Sequence, residues 1–184
     1  TDSSGGKVIR AYLPQAISAA VLAGDRETPM DKIHPGGIFE AAMDELPERY
    51  RLKLQMRFGG EAVLEDPYRF WPQLSDFDVH LHGEGTNYEA WRSMGAHLVA
   101  VAGVEGARFA VWAPCAEAVC VVGDFNEWDN HRHPMRKRDG GVWELFVPGV
   151  KQGDIYKYFV RSQIFGVSAL KCDPYGFASE CPPK

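Results

Sequence analysis

The residues with the most chemistry to offer lie in one short run, VVGDFNEWDNHRHPM, from Val121 to Met135. Trp128 stands in the middle of it, in a glycine-, aspartate- and asparagine-rich loop that follows an apolar, strand-like segment. A large aromatic ring in a loop either packs down as a lid on a core or faces outward to meet a ligand. Two histidines in the same run, His131 and His133, and a pair upstream, His80 and His82, are spaced i, i+2. Zinc requires three or four converging donors, and neither pair brings a third, so no metal is expected. The four cysteines, Cys115, Cys120, Cys172 and Cys181, lack CxxC spacing and are too sparse for a disulfide scaffold. Reduced thiols, a cytoplasmic setting and no cofactor are the expectation.

Strands must position these residues. Tyr156, Tyr158 and Val160 share one face of an alternating run, with Lys157 and Arg161 on the other. Trp143, Leu145 and Val147 likewise share a face opposite Glu144, which makes Trp143 a core residue first and a ligand contact second. The turn signals PGG, DGG, VPG and RFGG recur at intervals that suit an antiparallel sandwich. One helix is predicted, over TNYEAWRSMG, where Thr86 and Glu89 form a capping box and Gly95 ends the run. Trp91 would anchor it.

The chain also repeats itself. VIRAYLPQAISAAVLAG from Val8 is answered by ARFAVWAPCAEAVCVVG from Ala107, PGGIFEAAM by DGGVWELFV, RYRLKL by IYKYFV, and EDPYRF by CDPYGF. The offset grows from 100 at Pro14 and Pro114 to 107 at the two Asp-Pro-Tyr triplets, so the second copy carries extra loop residues, several of them around Trp128. The fold class expected is all-β, two tandem immunoglobulin-like β-sandwich modules with a short helix-containing connector. A flexible tail is expected at 1–7, the first module at 8–78, and the connector with the second module at 79–184. Tyr12 and Phe39 fit core positions of the first module, which has no counterpart of the Trp128 loop.

Composition narrows the partners. With 184 residues, 45% of them hydrophobic, and a net charge of −5, the chain is an ordinary globular one with no basic surface for nucleic acid or an anionic membrane. The short MRKRDGG run reads as a solvated turn. No membrane span and no signal peptide are expected, since no stretch of 18 apolar residues and no charged-then-apolar leader is present.

The segments ARFAVWAPCAEAVCVVGDFNEWDNHRHPM, GVWELFVPG, YKYFV and KCDPYGFASE resemble a family 48 carbohydrate-binding module. EDPYRFWPQL, HLHGEGTNYEAWRSMGAHL and the duplicated unit ahead of them resemble the N-terminal region of bacterial 1,4-α-glucan (glycogen) branching enzymes. In that family two β-sandwiches precede a (β/α) barrel that cleaves an α-1,4 bond and passes the chain to a 6-hydroxyl. Such chemistry needs two carboxylates flanking the glycosidic bond. The resemblance places neither in this sequence, so no catalytic residue is expected here and the chain reads as an amino-terminal piece of a longer enzyme. The sequence departs from the family at Leu98, Trp71 and Cys172, where proline, glycine and alanine are commoner.

The resemblance implies that Trp128 is the family's sugar-stacking tryptophan and Lys157 its rim lysine. A flat CH-rich pyranose face wants an aromatic plate with hydrogen-bonding groups at its rim. Asn126 could serve that rim, or could instead be a turn-forming asparagine. Trp128 has two other readings, packing on the sandwich edge and docking against the barrel of the same chain; Trp112 and Trp143 are further candidates for glucan or barrel contact. Where glycogen-binding relatives carry a second tryptophan, this sequence has Val167 and Leu170. The implied partners are α-1,4-glucan or glycogen and the barrel. The competing implication is a pair of structural modules that shape the barrel and touch glucan little.

Overall fold

The computed structural model describes residues 6–164 and 166–179, so the tail at 1–5 and Cys181 lie outside the described residues. The chain divides into two compact units, Thr1–Arg69 and Phe70–Lys184. No helix among the described residues is long and apolar enough to cross a membrane.

In the first unit, strands β1 (Lys7–Tyr12), β2 (Ala16–Ala23), β3 (Arg26–His34), β4 (Ile38–Met43), β5 (Arg51–Met56) and β6 (Glu61–Glu65) form an antiparallel sheet in the order β1-β4-β3-β2-β5-β6. The first half of β3, Arg26 to Met30, pairs with β2; its second half, from Asp31, pairs with β4. The sheet therefore folds back on itself at β3. Alternate residues of both halves close on one core, with Ile9, Phe39 and Ala41 from one side and Ala19, Val21, Leu52 and Leu54 from the other. Phe39 is core as expected, but Tyr12 is exposed because it alternates with Ala11 and Leu13, which face inward.

The second unit opens with a helix, α1 (Asp76–Glu84), and continues with β7 (Gly95–Val101), β8 (Val104–Trp112), β9 (Ala116–Gly123), β10 (Arg136–Lys137), β11 (Val142–Pro148), β12 (Tyr156–Ser162) and β13 (Ser168–Lys171). Two sheets, β10-β11-β8-β7 and β13-β12-β9, enclose a core of Phe109, Val111, Val119, Val121, Trp143, Leu145, Val147 and Tyr158. The outer face of β8 and β11 is covered as well, by Leu74, Val79 and Met94 against Ala110 and Val142. That second layer buries Glu144, whose carboxylate accepts from the Gln73 and Leu74 amides (the latter at 2.8 Å) and from Arg138 at 2.6 Å. Segment 70–84 thus belongs to the second unit, and the break falls at Arg69/Phe70 where the sequence reading puts it after residue 78. Phe70 stacks edge-on to Phe146 at 4.7 Å, and its carbonyl accepts from Arg136 at 2.5 Å.

Two further expectations are corrected. The helix lies at 76–84, upstream of the predicted 86–95, where only a single 3-10 turn, Ala90–Arg92, forms. Ser75 caps its N-terminus by accepting from the Asp78 amide at 3.0 Å, and Gly85 ends it in the left-handed conformation. Thr86, read as an N-cap, instead hydrogen-bonds the Leu81 carbonyl at the end of α1, and Trp91 is half-exposed. The MRKR run is no free solvated turn either: besides Arg136 on Phe70, Arg138 bridges Glu144 and Asp76.

The sequence repeat is a structural one, register by register. Ile9 faces Ala41 as Phe109 faces Leu145; Val21 faces Leu52 as Val121 faces Tyr158; Leu52 faces Leu64 as Tyr158 faces Lys171. One corner repeats atom for atom. Leu13 donates to the Gly37 carbonyl at 2.7 Å and Ala113 to the Gly141 carbonyl at 2.9 Å. Both glycines have positive φ, and a Cβ there would meet the Cα of Pro14 or Pro114 at 2.5 and 2.6 Å. The Asp-Pro-Tyr triplets repeat their bonding too, Tyr50 donating to Asp66 and Tyr156 to Asp173, each at 2.5 Å.

Candidate functional site

β9 runs out at Gly123, and the chain then makes a 3-10 turn over Asp124–Asn126 followed by two residues in the left-handed region, Glu127 (φ 58) and Trp128 (φ 60). Left-handed backbone costs a non-glycine residue about 1–2 kcal/mol, so the loop must be held from elsewhere. Asn126 holds it. Its side chain is 1% exposed; Oδ1 accepts from the Gly123 amide at 2.9 Å, while Nδ2 donates to the Val121 carbonyl at 3.0 Å and to His133 Nδ1 at 2.9 Å. Acceptance at Nδ1 requires a neutral His133, and burial pushes its pKa down to about 4, with nearby Arg132 acting in the same direction and Asp129 against it. Phe125 turns inward onto Phe109 and His133.

Trp128 is 40% exposed. Its backbone N–H donates to the Gly123 carbonyl at 3.1 Å, and its indole Nε1–H donates to Asp124 Oδ1 at 3.1 Å. The same carboxylate accepts the Ile155 amide on Oδ2 at 3.0 Å. The indole edge is thereby fixed to the protein, and the exposed part of the ring is left for stacking. Asp124 escapes a reading based on residue type, although its place four residues before the tryptophan is the signal that would have found it.

Lys157 stands opposite Val122 on β12, beside the strand that ends in the loop, and on the face away from the core residues Tyr156 and Tyr158. It is half-buried and makes no ion pair among the described residues. The structure therefore brings Trp128 and Lys157 to one end of the sandwich. Asn126, the proposed rim group, is also there but inside, with all its polar groups spent on the loop. Trp112 lies where β8 hands over to β9, and β9 is eight residues long, so Trp112 and Trp128 are separated by roughly 25 Å of strand. Trp112 is half-exposed, donating to the Gly140 carbonyl at 2.9 Å beside His82. Trp143 is 5% exposed in the core and donates to the Ala113 carbonyl, which removes it from any surface contact. Val167 and Leu170 are exposed, at the place where a second aromatic is missing.

The remaining histidines have local partners. His131 bonds Asp129 at 3.1 Å and His80 pairs with Glu84 at 3.4 Å. Among the described residues no three His, Cys, Asp or Glu side chains converge as a metal site.

Comparison with known proteins agrees with this architecture. Residues 2–68 match the family described as alpha-1,4-glucan branching enzyme GlgB, N-terminal domain, and residues 93–176 match carbohydrate-binding module 48 (isoamylase N-terminal domain). The 1,4-alpha-glucan branching enzyme GlgB of Paramagnetospirillum magneticum is 49% identical over 98% of this chain and 24% of its own length. That of Rubrobacter xylanophilus is 48% identical over 99% of this chain and 25% of its own. A solved pullulanase from Anoxybacillus sp. LM18-11 aligns at 17% identity with a TM-score of 0.39, covering 91% of this chain and 24% of that one. The chain spans about a quarter of the length of the curated relatives it matches. It belongs to the N-terminal region of the 1,4-α-glucan branching enzyme family, a branching-enzyme N-terminal domain followed by a family 48 carbohydrate-binding module.

Proposed function

We propose that this region binds α-1,4-glucan for a glycogen branching enzyme, with Trp128 as the stacking plate and Lys157 as the hydrogen-bonding group at its edge. The observation that carries this reading is a partly exposed tryptophan in a costly backbone conformation, locked there by Asn126 and Asp124. A tryptophan pinned at its Nε1 edge and left 40% exposed holds its exposed ring surface in one orientation. The relatives are named 1,4-alpha-glucan branching enzymes, and in the whole enzyme the barrel that the family resemblance implies would cleave α-1,4 bonds and form α-1,6 branches. One plate contributes on the order of 1 kcal/mol beyond area burial, so a short glucan binds at millimolar affinity or weaker. Glycogen, with many adjacent chains, compensates through multivalency.

Native affinity electrophoresis in glycogen-containing gels tests this directly. The chain is expected to be retarded, and Trp128→Ala to run as it does without glycogen. Equal retardation of both forms would remove Trp128 from the site. A second reading, that the modules mainly hold the barrel, is favoured by Val167 and Leu170 at the place of a second aromatic, and predicts no retardation of either form.

A further inference from the structure

We infer that Asp124 is a positioning residue of this site, setting the indole plane of Trp128 and its spacing from Lys157; the inference rests on the glucan-binding reading above. Both carboxylate oxygens are engaged, one by the Trp128 Nε1–H at 3.1 Å and the other by the Ile155 amide at 3.0 Å. The clasp runs both ways, because the Asp124 amide donates to the Ile155 carbonyl at 3.1 Å. Ile155 lies two residues before Lys157 on the chain entering β12. A single side chain therefore ties the plate to the strand that carries the rim lysine. The two backbones are pressed together there, since a Cβ on Gly123 would collide with the Ile155 carbonyl oxygen and reach the Tyr156 Cα at 3.1 Å.

Two consequences follow for recognition. The indole N–H is consumed within the protein, so the ring meets sugar through its face and not through a hydrogen bond to a hydroxyl. Each carboxylate oxygen already accepts one protein N–H, and on this inference Asp124 acts through Trp128, with direct contact to glucan the alternative that the test separates. Asn at position 124 could still accept from Nε1 but would present an N–H to the Ile155 amide, two donors facing each other. The clasp opens and the ring loses its fixed orientation.

The test uses the chain labelled with 5-fluorotryptophan, the Trp128 resonance being the one missing from Trp128→Phe, titrated with maltoheptaose. Asp124→Asn is expected to shift or broaden that resonance before any sugar is added and to weaken maltoheptaose roughly three- to tenfold, the worth of one hydrogen bond. In the Trp128→Phe background, which lacks the N–H, Asp124→Asn should bring no further loss. An unchanged resonance and unchanged affinity in Asp124→Asn would overturn the inference, as would an equal loss in the Phe background, which would mean that Asp124 meets sugar or acts through the fold. If the unaltered chain fails to bind maltoheptaose, the glucan-binding reading falls, while the resonance of sugar-free Asp124→Asn still decides whether Asp124 sets the ring.

Discussion

Replacing Asn126 with alanine separates a loop-holding residue from a sugar-rim residue. The substitution leaves the Gly123 amide and the Val121 carbonyl without their side-chain partners and removes the donor facing His133 Nδ1. Leaving a buried polar group unsatisfied costs about 1–3 kcal/mol. With two backbone groups orphaned and some relief from entering water, the loss should be about 3 kcal/mol, or on the order of 10 °C in the melting of a unit of this size. All five tryptophans lie between Trp71 and Trp143, within the second unit, so urea unfolding followed by tryptophan fluorescence reports on that unit alone. The expected result is a midpoint shift at unchanged slope, with maltoheptaose binding lost because Glu127 and Trp128 are no longer held in the left-handed region. A midpoint within about 0.5 kcal/mol of the unaltered chain, with binding nonetheless weakened, would mean that Asn126 faces sugar and that the reasoning from its burial is wrong.

Acid should act on the same loop. His133 has a folded pKa of about 4, below the ordinary 6.5, so the unfolded chain takes up the proton first as the pH falls. Its contribution is complete above about pH 6.5 and is lost down to about pH 4, up to about 3 kcal/mol in all. His133→Asn, which tolerates the left-handed φ and can still accept from Asn126, should flatten that part of the stability profile; an unchanged profile would place the acid sensitivity elsewhere. The duplicated corner gives a paired prediction: Gly37→Ala and Gly141→Ala should each destabilise their own unit by about 2 kcal/mol or more, read by circular dichroism and fluorescence respectively. Gly24→Ala, with open space around its Cβ, should cost only about 1 kcal/mol for its positive φ, and equal effects at all three would remove the close approach to proline as the cause.

Much of this fold is legible in the sequence. The alternation in VWELFV and YKYFV assigns the inward faces correctly, because a sandwich strand has only two faces and one must be apolar. The same alternation misleads about Glu144: it marks the face opposite the core, yet residues 70–84 lie over that face and turn a solvent position into a buried acceptor. Only long-range packing reveals that layer. Helix α1 shows no apolar stripe in the sequence because it buries little beyond Val79, and its legible signals are its caps, Ser75 with Asp78 and Gly85. The rival TNYEAWRSMG loses its chance to local bonds: the Glu89 amide donates to Asn87, and Asn87 to Ser93. Asn126 carries two readings in the sequence, rim group and turn former, and only its partners, among them His133 seven residues on, show the turn role.

The two copies of the fold show what the Trp128 loop adds. In the first unit β2 passes to β3 through the tight turn Gly24-Asp25, and Ala20 then pairs with Pro29. In the second, Cys120 pairs with Pro134 at the matching place, and Met135 is buried as Met30 is. Between these matching pairs the second unit carries five more residues than the first, 14 positions from Cys120 to Pro134 against nine from Ala20 to Pro29, and the Trp128 loop replaces the end of the β2–β3 hairpin. Lengthening a loop about twofold costs only about 0.6 kcal/mol of closure entropy. The larger costs are the left-handed residues Glu127 and Trp128, and these are offset locally by Asn126 and Asp124, not by the core. A sugar-facing plate added this way leaves the sandwich free to keep the same packing with or without it. The first unit, whose corresponding turn is too short to carry an aromatic ring, should then bind no glucan however closely its registers follow those of the second.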